Sequence, residues 1–256
     1  MTDQGTAPRD DYFAAVADSY DRLQPIVAGP WYRSGLDFVC ELVPYEPSEE
    51  FVFVELGCGT ATLSKALLDR FPRSRVIAAD SEPGMLEIAR QKLACYRPRA
   101  TVEQADIPSY RPQPCDLVVS SFVFHHVAPE TLPQVFERVA AGLGPGGCFI
   151  LLDQMTAGPT WGDGVAAQSR RLYREGVFSA IAAGLTTQAE IDARWEFKRK
   201  MKAEGKDVEY RHGAEDLLST MQDAGFAEVG LVWRMFASTI LVAFVPAARR
   251  AANGVS

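Results

Sequence analysis

Apolar positions along the 256-residue chain follow two alternating periods. Short unbroken apolar runs rich in β-branched and aromatic residues read as buried strands; longer stretches with apolar residues every three or four positions read as amphipathic helices. Residues 10 to 43 are helical on this pattern. Tyr12, Phe13, Val16 and Tyr20 recur at helical spacing, Pro25 and Gly29-Pro30 interrupt it, and a second helix runs from Trp31 to Leu42. "FVFVEL" (51–56) reads as a parallel strand buried on both faces, and "ATLSKALLDRF" (61–71) as the helix after it, ending at Pro72.

The alternation then repeats. "RVIAAD" (75–80), "ATVEQAD" (100–106), "CDLVVSSFVF" (115–124) and "CFILLDQ" (148–154) read as strands. "EPGMLEIARQKLACY" (82–96) and "APETLPQVFERVAAGL" (128–143) read as the helices between them, with "GPGG" (144–147) as a turn. Strand–helix alternation with short connections predicts a doubly wound α/β fold with a mostly parallel sheet. From residue 155 to 212 the strand signal stops. A glycine-rich connector, "TAGPTWGDG", precedes helical stretches, one of which opens on the capping-box pair Thr187 and Glu190. "AEDLLSTMQDAGF" (214–226) reads as a last helix, and "EVGLVWRMFASTILVAFV" (228–245) as two strands able to pair antiparallel. The expected division is N-terminal helices at 1–45, a ligand-binding core at 46–154, a helical lid or insertion at 155–212, and a final helix and strand hairpin at 213–256.

Charge narrows the partners. A net charge of −7 removes the general attraction for phosphate backbones, so nucleic acid is a disfavoured partner. No apolar run approaches a bilayer span and the N-terminal stretch has no apolar secretion core, so no membrane role and a cytoplasmic location are the default expectations. The five cysteines are scattered and odd in number, which argues against a disulfide framework and a zinc cluster. A homodimer stays open.

The candidate chemistry begins with "VELGCGTATL" (54–63). Glycines between a strand and a helix let the backbone approach a ligand closely. A nicotinamide site would want G-x-G-x-x-G, but Thr62 stands at the third glycine position, and Glu55 ahead of the hook would repel a pyrophosphate. A carboxylate there suits an ammonium or sulfonium. Asp80 closes the second strand, where it either serves as the expected ribose-binding acid or caps the following helix. Asp106 ends the third, where it either receives an adenine amino group or serves as a turn residue.

Together, "VELGCGTATL", "AADSEPGML", "EQADI", "CDLVVSSFVFHHV", "LGPGG" and the terminal "AGF" before two strands resemble the class I S-adenosylmethionine-dependent methyltransferases, small-molecule branch, across residues 10 to 246. The resemblance implies a seven-stranded sheet with an antiparallel final strand, a helical insertion before the last helix, S-adenosyl-L-methionine as cofactor and a small-molecule methyl acceptor. By the same resemblance, Glu55, Gly57 and Gly59 surround the methionine part, with Ser121 and Phe122 bordering it. Asp80, with Ser81 beside it, binds ribose, and Met85, Asp106 and Ile107 hold adenine. Tyr20, in an "AxxYD" pattern, either closes the cofactor site or packs a helix. No Asn/Asp-Pro-Pro-aromatic run follows the fourth strand, which lowers a base-methylating reading.

Methyl transfer needs alignment first and a base only if the acceptor must lose a proton. His126 is the candidate base; the alternative is that it only shapes the pocket. His125, Phe124, Trp161, Tyr173 and Trp195 are the candidate acceptor-lining residues, or else the core of the insertion. The histidines have no local ligand spacing, and a metal is not expected. Two rivals remain: a tRNA-modifying relative, and a non-catalytic S-adenosylmethionine-binding protein.

Overall fold

The computed structural model describes residues 10–29, 31–156, 162–205 and 207–247. One sheet of seven strands runs in the order β3-β2-β1-β4-β5-β7-β6. The strands are β1 (Val52–Leu56), β2 (Arg75–Asp80), β3 (Ala100–Gln104), β4 (Cys115–Ser121), β5 (Leu143–Gln154), β6 (Glu228–Met235) and β7 (Ser238–Phe244). The first five are parallel. Strand β7 enters antiparallel between β5 and β6. The predicted α/β sheet with its reversed final strand is therefore present.

Helices cover both faces, which is why β1, β4 and β5 are continuous apolar runs rather than alternating ones. On one face α2 (Trp31–Leu42), α3 (Thr62–Arg70) and α4 (Pro83–Lys92) bury Leu36, Val39, Leu67 and Leu86 against Phe53, Leu117 and Ile150. On the other, α5 (Leu132–Gly142) and α8 (Ala214–Asp223) bury Val135, Phe136 and Met221 against Val54, Val118 and Leu151. Each such side chain contributes about 1.5–3 kcal/mol by leaving water.

The insertion before the last helix consists of α6 (Gly162–Ala182) and α7 (Gln188–Ala203), both packed on α1 (Asp10–Val27). The predicted capping box starts α7: Thr187 Oγ1 accepts the Glu190 N–H, and a Glu190 carboxylate oxygen accepts the Thr187 N–H. The same carboxylate holds Arg22 of α1 at 2.6 Å, tying the insertion to the N-terminal helix. Among the described residues no helix is long and apolar enough to cross a membrane.

Three local expectations are corrected. Pro25 does not break α1, because the turn closes past it through Ala28 N–H donating to Gln24 O at 2.8 Å. "GPGG" is not a separate turn. Leu143 already pairs with Cys115, and a register shift before the Leu117–Cys148 pair places the glycines inside β5. Gly147 is confined there: a Cβ would lie 2.8 Å from the Gly144 carbonyl oxygen. The end of the glycine-rich connector, Gly162 to Gly164, is already helical.

Candidate functional site

Parallel pairing of β1 to β5 brings their carboxyl ends to one edge, and the strand order reverses between β1 and β4. Ligands of open α/β sheets bind at such a crevice. A cavity of about 570 Å³ lies there. It brings together Tyr20, Glu55, Gly57, Gly59, Asp80, Ser81, Met85, Asp106, Ile107, Ser121, Phe122 and His126 from the sequence-predicted set.

The glycine hook forms the floor. Gly57 and Gly59 adopt φ of 70° and 51°. A Cβ on Gly57 would lie 2.5 Å from Val123 Cγ1, whereas one on Gly59 would meet nothing within 4 Å. Gly57 is thus glycine because of the protein behind it, and Gly59 keeps its backbone open to the cavity. Asp80 Oδ2 accepts the Gly59 N–H at 2.7 Å, and Oδ1 accepts the Glu82 N–H at 2.9 Å. These bonds aim the carboxylate from two sides. Burial raises the Asp80 pKa, and the backbone N–H donors work against that rise.

Glu55 is 1% exposed. Its Oε2 accepts the Ser64 N–H at 2.9 Å and the Ser64 hydroxyl. Burial dominates the two hydrogen bonds and pushes its pKa up to about 8. Burial therefore favours the neutral form of this carboxyl far more than in an exposed glutamate.

Helix α1 closes one side. Asp21, beside Tyr20, accepts the Thr60 hydroxyl at 2.5 Å and the Thr62 hydroxyl at 3.2 Å. It also binds Lys92 of α4 at 2.6 Å. One carboxylate thereby joins the N-terminal helix, the hook and α4. The expectation had singled out Tyr20 and passed over Asp21, although "AxxYD" contained it.

The far side is built by the turn after β4. Phe122 takes a φ of 55°, a conformation unfavourable for a side chain of its size. Its ring stacks on Tyr32 at 5.1 Å. A short 3₁₀ turn at Phe124–His126 meets the segment between α7 and α8. His126 Nδ1 lies 2.8 Å from the Val208 carbonyl oxygen, and His125 O accepts the Tyr210 N–H at 2.7 Å. His212 Nε2 lies 3.2 Å from Phe124 O and 3.1 Å from Val127 O. Carbonyl oxygens only accept, so Nδ1 of His126 and Nε2 of His212 carry the protons.

The two adjacent histidines titrate in opposite directions. Burial lowers the His125 pKa, but the Asp153 carboxylate, 2.6 Å from its Nδ1, outweighs burial and raises it overall. Burial, followed by the charge of His125, lowers the His126 pKa. His126 is thus a neutral ring with its lone pair on Nε2.

Four predicted acceptor residues lie elsewhere. Phe124 is fully buried in the core, stacked on Phe136 at 5.7 Å, because the positive φ at Phe122 turns the chain inward. His125 is turned to Asp153 at the end of β5 rather than into the cavity. Tyr173 and Trp195 pair with each other across α6 and α7, Trp195 Nε1 donating to Tyr173 Oη at 2.6 Å, and do not line the cavity. Trp161 lies outside the described residues. Asp207 and Val208, absent from the predicted set, do line the cavity. Among the described residues, no group of three His, Cys, Asp or Glu side chains is placed to hold a metal ion.

A reversed final strand in this order, a two-glycine hook and an acid after each of the second and third strands are the arrangement that the resemblance to the class I S-adenosylmethionine-dependent methyltransferases implies. Residues 53–147 match the family described as methyltransferase domain. The chain is 32% identical over 166 residues to trans-aconitate 2-methyltransferase of Methylobacterium nodulans, covering 61% of this chain and 57% of that protein. It is 30% identical over 140 residues to carboxy-S-adenosyl-L-methionine synthase of Erwinia tasmaniensis, covering 53% and 56%. The chain thus spans little more than half the length of these curated relatives. Human N-acetylserotonin methyltransferase, solved with S-adenosylmethionine, superposes with a TM-score of 0.60 at 17% identity, over 94% of this chain and 60% of that one. That likeness is one of fold.

Proposed function

We propose that the chain transfers a methyl group from S-adenosyl-L-methionine to a small-molecule acceptor. The observation that carries this reading is the continuity of one cavity from the glycine hook and its acids to His126 and Val208. At about 570 Å³ the cavity falls within the ~300–1,000 Å³ range of small-molecule sites.

The residues present fit the cofactor. Gly59 leaves its backbone side open, and Asp80 is held by two N–H donors as a ribose acceptor needs to be. Met85, buried beside Ile107 in the cavity wall, offers an apolar surface to adenine, with Asp106 as acceptor for its amino group. Glu55, Ser121 and Phe122 border the methionine part. When bound, S-adenosyl-L-methionine supplies a methyl group on a sulfonium, open to direct in-line displacement by a nucleophile. A neutral Glu55 becomes the counter-charge to that cation by losing its proton. His126, neutral and with its lone pair on Nε2, takes the proton of an acceptor that must shed one.

Calorimetric titration with S-adenosyl-L-methionine, followed by methyl transfer from labelled cofactor to a panel of amines, phenols and carboxylates, tests the reading. Trans-aconitate, the anion in one relative's name, belongs in the panel. Binding together with turnover of any small acceptor supports it. Absence of binding by the folded protein overturns it, and binding without turnover leaves a cofactor-binding protein in its place.

A further inference from the structure

The acids of the cavity are not equally accounted for. Glu55 is bonded to Ser64, Asp80 to the hook and Glu82 N–H, and Asp106 stands at the adenine end. Asp207 has none of these duties. It enters the wall from the segment between α7 and α8, beside Val208 and across from His126. Its side chain is only 4% exposed. Oδ1 lies 3.8 Å from His126 Nδ1, beyond hydrogen-bond reach, and that nitrogen is already bonded to the Val208 carbonyl oxygen at 2.8 Å. Oδ2 is buried without a hydrogen-bond partner among the described residues.

A dry carboxylate oxygen without a donor is unfavourable, and surrounding structure normally supplies one. Here the nearby lysines among the described residues have carboxylate partners of their own. Lys198 of α7 lies 2.7 Å from Glu209 and Lys202 lies 3.6 Å from it. Lys92, at the opposite rim, is bound to Asp21. The described residues lining the cavity include five carboxylic acids, Glu55, Asp80, Glu82, Asp106 and Asp207, and neither Lys nor Arg. An anionic acceptor would meet the Asp207 carboxylate without a compensating Lys or Arg among the described lining residues, whereas a group bearing N–H donors would satisfy Asp207.

We propose that Asp207 is the specificity-determining residue of the acceptor end, and that it selects an acceptor carrying an amino group over one carrying a carboxylate. This rests on the reading of the cavity as a methyl-transfer site and names its substrate class. Val208 and Val123, also in the wall, give the amine's carbon skeleton an apolar surface. The same charge pattern discriminates in two ways. It attracts a nitrogen-bearing acceptor and repels the carboxylates that a basic pocket would admit.

The test uses the full chain with S-adenosyl-L-homocysteine present, and three fragments of matched shape: benzylamine, benzyl alcohol and benzoate. Ligand-observed NMR titration reads the affinity of each. Benzylamine is expected to bind at least tenfold more tightly than benzoate, with benzyl alcohol between them. Asp207→Asn keeps the volume and should collapse the preference to within about threefold, with S-adenosyl-L-homocysteine affinity unchanged. Equal or tighter benzoate binding, or a preference that survives in Asp207→Asn, overturns the proposal. Should that variant not fold, the wild-type ranking alone decides. If S-adenosyl-L-homocysteine binds but no fragment does, this proposal fails and the cofactor reading stands. If S-adenosyl-L-homocysteine itself does not bind, both fail.

Discussion

The two ends of the cavity are built by different means. The proposed cofactor end is made from strand ends and the residues just after them: Gly57 and Gly59 after β1, Asp80 closing β2, Asp106 after β3. Its key bonds run between carboxylates and backbone N–H groups, as Asp80 shows with Gly59 and Glu82. The acceptor end is made from two segments far apart in the chain. Histidine rings reach carbonyl oxygens across separations of 82, 85 and 88 residues. The first is fixed by local backbone bonds; the second depends on contacts between segments far apart in the chain.

Gly57 is where the two ends touch, and changing it tests their independence most severely. Gly57→Ala places a methyl 2.5 Å from Val123 Cγ1 at a φ of 70°. We expect a loss of about 4 kcal/mol in stability, read by thermal or denaturant melting. A loss under about 1 kcal/mol would show that the post-β4 turn yields freely.

Asp80→Ala should separate the two ends cleanly. It removes the acceptor that holds the hook and that we propose for ribose. Calorimetry should show S-adenosyl-L-methionine affinity falling about 100-fold, or about 3 kcal/mol, in a protein that remains folded.

Glu55→Gln asks how strongly the cofactor end is poised for a cation. The folded protein holds the Glu55 proton to about pH 8, while the unfolded chain releases it near the ordinary 4.5. Between those values the unfolded state binds fewer protons, so wild-type stability falls as pH rises. Glu55→Gln should remove this slope and gain on the order of 3 kcal/mol relative to wild type at pH 8 over pH 5. Parallel melting profiles for the two proteins would rule the buried neutral carboxyl out.

His212→Ala probes only the acceptor end. Losing the N–H shared by Phe124 O and Val127 O should cost about 1–2 kcal/mol in stability. Acceptor turnover should fall about tenfold with cofactor affinity unchanged. An equal fall in cofactor affinity would mean that the two ends are not separable.

Legibility in the sequence divides along the same line. The cradle was readable because each of its residues is marked by its own neighbours: a strand end, a glycine at positive φ, an acid one strand later. The mostly parallel sheet followed from the same alternation and the reversed final strand from the family resemblance, whereas the strand order is seen only in the structure. Asp21, Asp207 and Val208 were missed because their duties exist only across the folded structure, as in the 39-residue separation between Asp21 and Thr60. Phe124 was misplaced for a related reason. Strict strand alternation cannot foresee that the backbone reverses hand at Phe122 and sends the ring into the core. Tyr173 and Trp195 looked like a pocket lining by composition, but their mutual hydrogen bond satisfies both inside the insertion.

The three histidines have a practical consequence for spectroscopy. They are the only ones in the chain, and all sit along the seam between the post-β4 turn and the segment before α8. An imidazole ¹H–¹⁵N spectrum of this protein therefore contains signals from that seam alone. Two tautomers are assigned by their carbonyl partners, and the third ring is paired with Asp153. His126, the histidine that lines the cavity, would report an acceptor entering it, with no isotope label on the ligand.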